Sequence, residues 1–304
     1  MTALLVRRVL RLLVVCAGVS LVTFSILHVS GDPASLMLPE ATEADRIALR
    51  ASLGFDQPLA SQFMRFLGNT VSGNFGNSFY HRKPALALVM ERMPTTLLLT
   101  ILALALATLI AVPVGIYGAV RRNSLVDHIS TVVVFLGQSM PTFWTGIMLM
   151  LLFAVEWRLL PVSGWATWSA LILPTITLGT FTAPLLLRIV RSSMLEVINL
   201  DYVRTARAKG VSEWRVILSH ALKNAALPLV TVTGLQFGLL LGGAVITESV
   251  FAVPGVGRLI VDGIRQLDFP VVQAAVFMLA MIVVLVNFAV DMLYVYLNPQ
   301  IRIR

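Results

Sequence analysis

Phosphate chemistry is the first possibility to consider, because a lysine in a glycine-rich loop is the usual sign of nucleotide binding. The loop needs the pattern Gly-x-x-x-x-Gly-Lys-Ser/Thr, in which backbone N–H groups surround the phosphates and the lysine neutralises part of their charge. The lysines of this chain are Lys83, Lys209 and Lys223, and they are followed by proline, glycine and asparagine. The sequence contains no such loop, so any ATP and magnesium that drive this protein would be bound by a separate subunit.

The sequence also lacks the residue patterns of hydrolytic enzymes and of metal sites. Intramembrane serine proteolysis needs a serine paired with a histidine or lysine at one depth, and a zinc protease needs His-Glu-x-x-His. The single cysteine, Cys16, can form no internal disulfide. We predict no enzymatic activity, metal site or cofactor in this chain, since its histidines are scattered: His28, His81, His128 and His220.

A polar, basic segment between two apolar runs is the remaining feature with functional character. Its small residues before a glycine would let another surface approach closely, whereas a lipid-binding helix favours bulky apolar residues on one face. A docking surface for a soluble partner, a lipid-headgroup site and a plain connector all fit this composition. The segment reads Asp201-Tyr202-Val203-Arg204-Thr205-Ala206-Arg207-Ala208-Lys209-Gly210.

The elements that must position this segment are membrane spans. The 304 residues are 58% hydrophobic and 12% charged, and the mean hydropathy is +0.88. A soluble domain carries roughly 25% charged residues, and a spanning helix needs about 20 apolar ones. The apolar runs predict an all-α integral membrane protein with six transmembrane helices at about Val9–Val29, Thr95–Val120, Ile129–Val155, Leu171–Val190, Leu227–Ser249 and Val271–Leu297.

These runs differ in their boundaries. The first is longer than the core of a signal peptide and has no small-residue cleavage site after it, so we expect it to be retained. Pro94 is predicted to open the second run, because proline is tolerated in the first turn of a helix. The fourth run is the weakest, since Pro174 and Pro184 interrupt it.

The basic residues indicate the orientation. The net charge is +8, and lysines and arginines concentrate in short connections such as the one containing Arg121 and Arg122, as the positive-inside rule requires of cytoplasmic loops. Both termini are therefore predicted to be cytoplasmic. Nucleic-acid binding is not supported, because no clustered basic face or reader motif is present.

Two connections are too long to be simple turns. The outer one, Gly31–Met93, is predicted to contain an amphipathic helix at Glu43–Leu53. The inner one, Arg191–Asn224, is predicted to form two short helices broken at Gly210, with Asp201 and Ser212 as their N-caps. We expect the outer connection to be a packed cap rather than a solvated loop, because it holds Phe55, Phe63, Phe66, Phe75 and Phe79.

Ionisable groups are rare in the predicted spans. A carrier driven by an ion gradient usually places such groups at mid-membrane, whereas His28, Glu248 and Asp291 lie near span ends. Each can be an interfacial residue, and Glu248 and Asp291 are also candidates for a gate or an interhelical contact. A gradient-driven carrier and a membrane receptor or structural protein remain the alternatives from other functional classes.

The segment Asp201–Gly210 resembles the EAA loop of ABC importer permeases, in its dipeptide and oligopeptide version. The general pattern is Glu-Ala-Ala, three residues and Gly; Arg204, Thr205 and Ala206 stand in the first three positions, so only the last alanine and the glycine match it. Further similar stretches follow in order along the chain: Gly31-Asp32-Pro33, Leu53-Gly54-Phe55-Asp56-Gln57-Pro58-Leu59, Gly73-Asn74-Phe75-Gly76-Asn77-Ser78, Ser139-Met140-Pro141-Thr142-Phe143-Trp144, Glu248-Ser249-Val250-Phe251, Pro254-Gly255-Val256-Gly257, Asp268-Phe269-Pro270, and Asp291 with Asn298-Pro299.

The resemblance implies the ABC transporter type-1 transmembrane fold and the B-type subunit of a two-permease pair in a prokaryotic inner membrane. Such a subunit works with a related C-type permease, two ATP-binding subunits and an external binding protein. The cargo would be di- or oligopeptides; nickel chelates, glutathione, haem and sugars are the alternatives within the class. The coupling helix, which sits in a groove of the ATPase, would be formed by Asp201, Tyr202, Arg204, Thr205, Ala206, Arg207, Lys209 and Gly210.

The resemblance also implies a translocation path between the two permeases. Polar groups in a membrane tend to face an aqueous cavity, although interhelical hydrogen bonding or packing fits them equally well. The candidates for the path are Gln138, Ser139, Trp144, Gln236 and Phe237. The expected organisation is an N-terminal segment with the first helix at 1–30, an outer cap at 31–93, a five-helix core at 94–298 with its coupling loop at 191–228, and a cytoplasmic tail at 299–304.

Overall fold

The computed structural model describes residue 10 and residues 14–25, 42–54 and 56–297. They form helices, as the predicted all-α class requires, and divide into an N-terminal unit (Met1–Pro94 with Gly255–Val284) and a central unit (Thr95–Pro254 with Leu285–Arg304). In chain order the helices are α1 (Val14–Ser25), α2 (Glu43–Leu53), α3 (Leu59–Val71), α4 (Ala85–Val120), α5 (Leu125–Ser139), α6 (Thr142–Glu156), α7 (Trp168–Val197), α8 (Asp201–Ala208), α9 (Glu213–Val250), α10 (Val256–Arg265) and α11 (Phe269–Leu297).

Four of these helices, α4, α7, α9 and α11, are long and apolar enough to cross a membrane, and the bent pair α5–α6 makes up to five candidate spans among the described residues. The described part of the first predicted span is α1, which is too short to qualify by itself. The six-span count and the orientation stay predictions. His28, Gly31-Asp32-Pro33, Phe55, Asn298-Pro299 and the tail at 299–304 lie outside the described residues.

The prediction that Pro94 opens the second span is wrong. α4 begins at Ala85 and continues through Pro94 to Val120 as one helix of 36 residues. Residues 85–93 are mostly good helix formers, so the helix starts well before the apolar run does. At about 1.5 Å per residue α4 is about 54 Å long, which exceeds the roughly 30 Å of the hydrocarbon core.

The third predicted span, Ile129–Val155, is not one straight helix. α5 ends at Ser139, Met140 is extended (φ −93°, ψ 125°), and Pro141 precedes the first turn of α6. The residue before a proline is pushed out of the helical region by the proline ring. The two helices consequently meet at an angle of 105°, with Gln138 and Ser139 at the end of the first.

The fourth predicted span is the most enclosed one, despite its prolines. α7 contains Pro184, and 67% of its apolar window is buried within the chain. Gly137 of α5 lies against this proline, since a Cβ atom there would be 3.1 Å from Pro184 Cγ. A proline inside a helix therefore packs closely here because the neighbouring helix presents a glycine.

The fifth predicted span begins earlier than its apolar run. α9 starts at Glu213, makes a wide turn over Val216–Ala221 and continues through Pro228 to Val250. The second short helix predicted for the inner connection is thus the first part of a spanning helix. The central core joins α7 to α9 through buried residues that include Leu186, Val190, Met194, Ala221 and Ala225.

Aromatic contacts occur within the N-terminal unit, and three phenylalanines of the predicted cap take part in them. The ring centroid of Phe24 in α1 lies 5.3 Å from that of Phe63 and 5.8 Å from that of Phe66. Phe75 and Phe277 are 5.5 Å apart. The predicted helix at Glu43–Leu53 is confirmed, and the hydroxyl of Thr42 accepts a hydrogen bond from the N–H of Asp45 at its start.

A buried carboxylate organises the rest of this unit. Asp268, only 1% exposed, accepts hydrogen bonds from the Ser78 hydroxyl and from the Phe79 N–H. The Ser78 hydroxyl oxygen in turn accepts the N–H of His81. Two of the stretches that carry the sequence resemblance, around Ser78 and Asp268, therefore meet in the fold.

Candidate functional site

The segment Asp201–Gly210 forms one short helix and a tight turn. α8 begins after Leu200, which is extended and is the N-cap residue, so the prediction that Asp201 caps this helix is wrong. Asp201 lies in the first turn instead, where its negative charge interacts favourably with the helix dipole. Ser212 does precede α9, as predicted, but its side chain makes no capping hydrogen bond.

One face of α8 is fixed to the rest of the central unit. Val203 and Ala206 are 0% and 7% exposed and pack against Val216 at the start of α9. Burying a valine side chain contributes about 1.5–3 kcal/mol. A movement of α8 should consequently be transmitted to α9 instead of being absorbed by a loose connection.

The turn after α8 depends on Gly210. Its φ is +75°, and a Cβ atom there would meet nothing within 4 Å. Glycine is therefore required by the left-handed backbone and not by a lack of space. The N–H groups of Gly210 and Val211 donate to the carbonyls of Arg207 and Ala206, which closes the helix.

Side-chain bonds reinforce the same turn. Arg207 donates from Nη2 and Nε to the Glu213 carboxylate at 2.7 and 3.1 Å, and from Nη1 to the Ile198 carbonyl. The hydrogen bonds to Glu213 raise the pKa of Arg207 above its ordinary value. Tyr202 accepts a hydrogen bond from Asn224 at 2.8 Å. These contacts connect α8 to the end of α7 and to α9.

Within the described part of the chain, the opposite face of α8 shows no hydrogen bond or ion pair to α7 or α9, and its residues form a stripe at helical spacing. Its members are exposed, and the ion pair between Arg204 and Asp201 is long, at 3.8 Å, with side chains 69% and 99% exposed. A pair of this kind contributes little to stability. The stripe, which we call the α8 outer face, consists of Asp201, Arg204, Thr205, Ala208 and Lys209.

A buried ion pair that the sequence reasoning missed joins α5 to α7. Arg191 donates from Nε and Nη2 to Asp127 at 2.6 and 2.9 Å, and the N–H of Asn123 donates to the same carboxylate at 3.0 Å. Asp127 is 4% exposed. Gly118 leaves room for the pair, because a Cβ atom there would be 3.1 Å from Asp127 Oδ1. The sequence did contain a signal for this pair, because Asp127 is an acidic residue at the start of a span and a charge there needs a basic partner.

The predicted path residues fall into two groups. Gln138, Ser139 and Trp144 are exposed on either side of the α5–α6 break. Gln138 accepts a hydrogen bond at 2.6 Å from Nη2 of Arg188. Gln236 and Phe237 of α9 are instead buried in the chain, at 5% and 9% exposure.

The two gate candidates are also placed differently. Glu248 is fully buried near the end of α9 and accepts a hydrogen bond from the Thr96 hydroxyl of α4 at 2.6 Å. It is thus an interhelical residue in the central unit. Asp291 is partly buried on α11.

Comparison with known proteins identifies the family. A family model described as "Binding-protein-dependent transport system inner membrane component" matches residues 111–303. A second model, for the N-terminal part of such membrane components, matches residues 1–100. The chain belongs to this family. Transport, rather than catalysis, is the role of the family, and the inner membrane is its location.

Individual relatives agree with the family assignment. This transport component is 41% identical over 319 residues to the dipeptide transport system permease protein DppB of Escherichia coli (strain K12), covering 94% of each chain. It is 42% identical over 299 residues to the glutathione transport system permease protein GsiC of the same strain, covering 98% of each chain. Both resemble this chain over nearly its whole length.

A solved structure supports the fold. A chain of the MetNI methionine ABC transporter, in inward facing conformations, superimposes with a TM-score of 0.58 at 21% sequence identity. The match covers 69% of this transport component and 96% of the MetNI chain. The predicted fold of an ABC transporter membrane subunit is thereby confirmed.

Proposed function

We propose that this chain is the B-type permease subunit of an ATP-driven importer of di- or oligopeptides. The observation that carries the proposal is the arrangement of α8, whose one face is locked to α9 while the other presents small and charged side chains. A helix built in this way can pass on a force that a second protein applies to it. The relatives DppB and GsiC are named as dipeptide and glutathione permeases, which is the reason for proposing a peptide cargo.

The partners follow from what the chain lacks and what its family does. Two ATP-binding subunits would hold ATP and magnesium and seat α8 in a groove, and this chain would have no enzymatic activity of its own. A related C-type permease would complete the path, and an external binding protein would deliver the peptide. With both termini and α8 on the cytosolic side and six spans, residues 31–93 would face outward.

The coupling mechanism would use the contacts described above. Closure of the ATP-binding subunits moves α8, and Val203, Ala206 and Arg207 pass this movement to α7 and α9. The Asp127–Arg191 pair extends it to α5. ATP can shift the equilibrium between the two arrangements of the spans only if the complex binds ATP more tightly in one of them. A stiff connection is needed for this difference in binding free energy to act on the path.

The remaining residues have proposed roles in the path. Gln138, Ser139 and Trp144 would line it in this arrangement, and Gln236 and Phe237 would reach it only if α9 moved. Glu248, through Thr96, and Asp291 would hold neighbouring helices at a gate. Nickel chelates, glutathione, haem or sugars as cargo, and a gradient-driven carrier, remain the alternatives.

The test places a bulky side chain on the α8 outer face without touching its packed face. In proteoliposomes containing the whole complex, Ala208→Trp is expected to lower ATP-driven peptide uptake about tenfold or more, which is within the range of typical coupling energies. The variant should also lose copurification with the ATP-binding subunits. The control is Ser61→Trp, which adds the same bulk to an exposed position of α3 and should transport normally.

Two results would contradict the proposal. The first is normal uptake and copurification by the Ala208→Trp complex. The second is uptake by the wild-type complex that stops when the ion gradient is collapsed while ATP is still present, because that result indicates a gradient-driven carrier.

A further inference from the structure

α7, the most buried of the four long candidate spans, carries an exposed stripe. α7 is 67% buried in its apolar window, yet Phe181, Arg188, Ser192 and Glu196 are exposed and recur at helical spacing along it. The exposed Gln138 and Ser139 of α5 adjoin the stripe through the bond from Arg188 to Gln138. Arginine, glutamine and serine together are costly against lipid tails, so this stripe is suited to a water-filled space.

Arg188 has unused hydrogen-bonding capacity. A guanidinium carries five N–H donors, and the residues with described positions supply Arg188 with one acceptor, the Gln138 side-chain oxygen at 2.6 Å. Among the residues that the structure describes, no carboxylate lies within ion-pair distance of Arg188. The guanidinium of Arg188 is therefore oriented by the neutral amide of Gln138, and no described carboxylate balances its charge.

Arg191, one turn further along α7, does have a carboxylate partner. Its guanidinium bonds to both oxygens of Asp127, which is buried. Of the two arginines, Arg188 and Arg191, Arg191 is the one that forms an ion pair with a carboxylate of the described residues. An unneutralised, oriented guanidinium at an accessible position is suited to an anion from outside the chain, because its planar fork matches a carboxylate.

We propose that Arg188, oriented by Gln138, is a binding group in the translocation path for the carboxylate of the peptide cargo. This inference rests on the proposed function. A dipeptide and glutathione, the cargoes in the names of the two relatives, both carry a free carboxylate. Since Arg188 is exposed to screening by water, the contact is weak, which lets the peptide leave again.

A phosphate-bearing lipid headgroup offers similar chemistry, so the experiment separates the two anions. The nucleotide-free complex without its binding protein is placed in nanodiscs of phosphatidylcholine, with or without phosphatidylglycerol. Binding of a dipeptide and of the same dipeptide with a C-terminal amide is measured by saturation-transfer NMR. We expect the wild type to favour the free acid about fivefold, as an exposed charge pair allows, in both lipid mixtures.

Three variants and a control test the residues. Arg188→Gln should abolish the preference for the free acid, and Arg188→Lys should keep part of it. Gln138→Glu should also abolish it, because a tethered carboxylate would occupy the guanidinium. Arg122→Gln removes an exposed arginine that is not part of the stripe and should leave the preference unchanged.

The inference is overturned if Arg188→Gln keeps the preference, if binding responds to phosphatidylglycerol instead of to the peptide carboxylate, or if Arg188→Gln prevents assembly, which would make Arg188 a structural residue. Uptake is measured in parallel with the complete wild-type complex. A wild type that imports the peptide but does not distinguish acid from amide contradicts this inference alone. A wild type that imports no peptide contradicts the proposed function itself.

Discussion

Two of the contacts between α5 and α7 join polar side chains, and these two contacts differ in burial, in charge and in the number of hydrogen bonds. At the start of α5, Asp127 and Arg191 form a doubly hydrogen-bonded pair whose carboxylate is 4% exposed. At its end, Gln138 and Arg188 share one hydrogen bond on an exposed surface. In the first, which we call the closed contact, the arginine is paired with a carboxylate. In the second, the open contact, the arginine has no carboxylate partner among residues 14–25, 42–54 and 56–297. We propose from this difference that the closed contact stabilises the fold and that the open contact binds the cargo.

The largest expected effect comes from breaking the closed contact. Asp127→Ala leaves Arg191 partly buried without its carboxylate, which should destabilise the chain by about 3–5 kcal/mol. The Tm of the purified complex and the yield of assembled complex measure this loss. Asp127→Asn, which keeps the shape and part of the hydrogen bonding, should lose less. A Tm of Asp127→Ala equal to that of the wild type would remove the distinction between the two contacts.

A smaller effect is expected from crowding the closed contact. Gly118→Ala places a Cβ atom 3.1 Å from Asp127 Oδ1, and such overpacking typically costs about 1–3 kcal/mol. The matched control is Gly242→Ala in α9, where a Cβ atom meets nothing within 4 Å. That change should be neutral or stabilising by up to about 1 kcal/mol, because alanine favours a helix. Equal Tm values for the two variants would indicate that the carboxylate has room to move.

The smallest effect on stability is expected at the open contact. Gln138→Ala and Arg188→Gln remove one exposed hydrogen bond, and surface changes of this kind usually stay within about 0.5 kcal/mol. The Tm of both complexes should be that of the wild type, while Arg188→Gln lowers peptide binding. A drop in Tm as large as that of Asp127→Ala would instead place Arg188 among the residues that hold the fold.

Local elements were the predictable part of this molecule. The helix at Glu43–Leu53 and the break at Gly210 depend on neighbouring residues, namely an N-cap threonine in one case and a left-handed glycine in the other. Pro141 is a local signal for the break between α5 and α6, since proline restricts the residue before it. The size of the bend, an angle of 105° between α5 and α6, is known only from the structure.

Contacts between residues far apart in the chain could not be predicted from local sequence patterns. Arg188 and Arg191 look alike in the sequence, as two basic residues near the end of an apolar run. Their partners, Gln138 and Asp127, lie 50 and 64 residues away. The burial of Gln236 and the exposure of Gln138 likewise depend on which face of a span meets a neighbouring helix.

The sequence by itself determined that the chain is a helical membrane protein, where most of its apolar helices lie, and which segment resembles a coupling helix. These properties follow from composition and from residues close together in the chain, because lipid requires each spanning segment to satisfy its own backbone groups. Only the tertiary structure decided which arginine is neutralised, which polar residues stay accessible and how α8 is fastened to the spans. Those outcomes depend on burial and on partners from distant parts of the chain, which no local pattern contains.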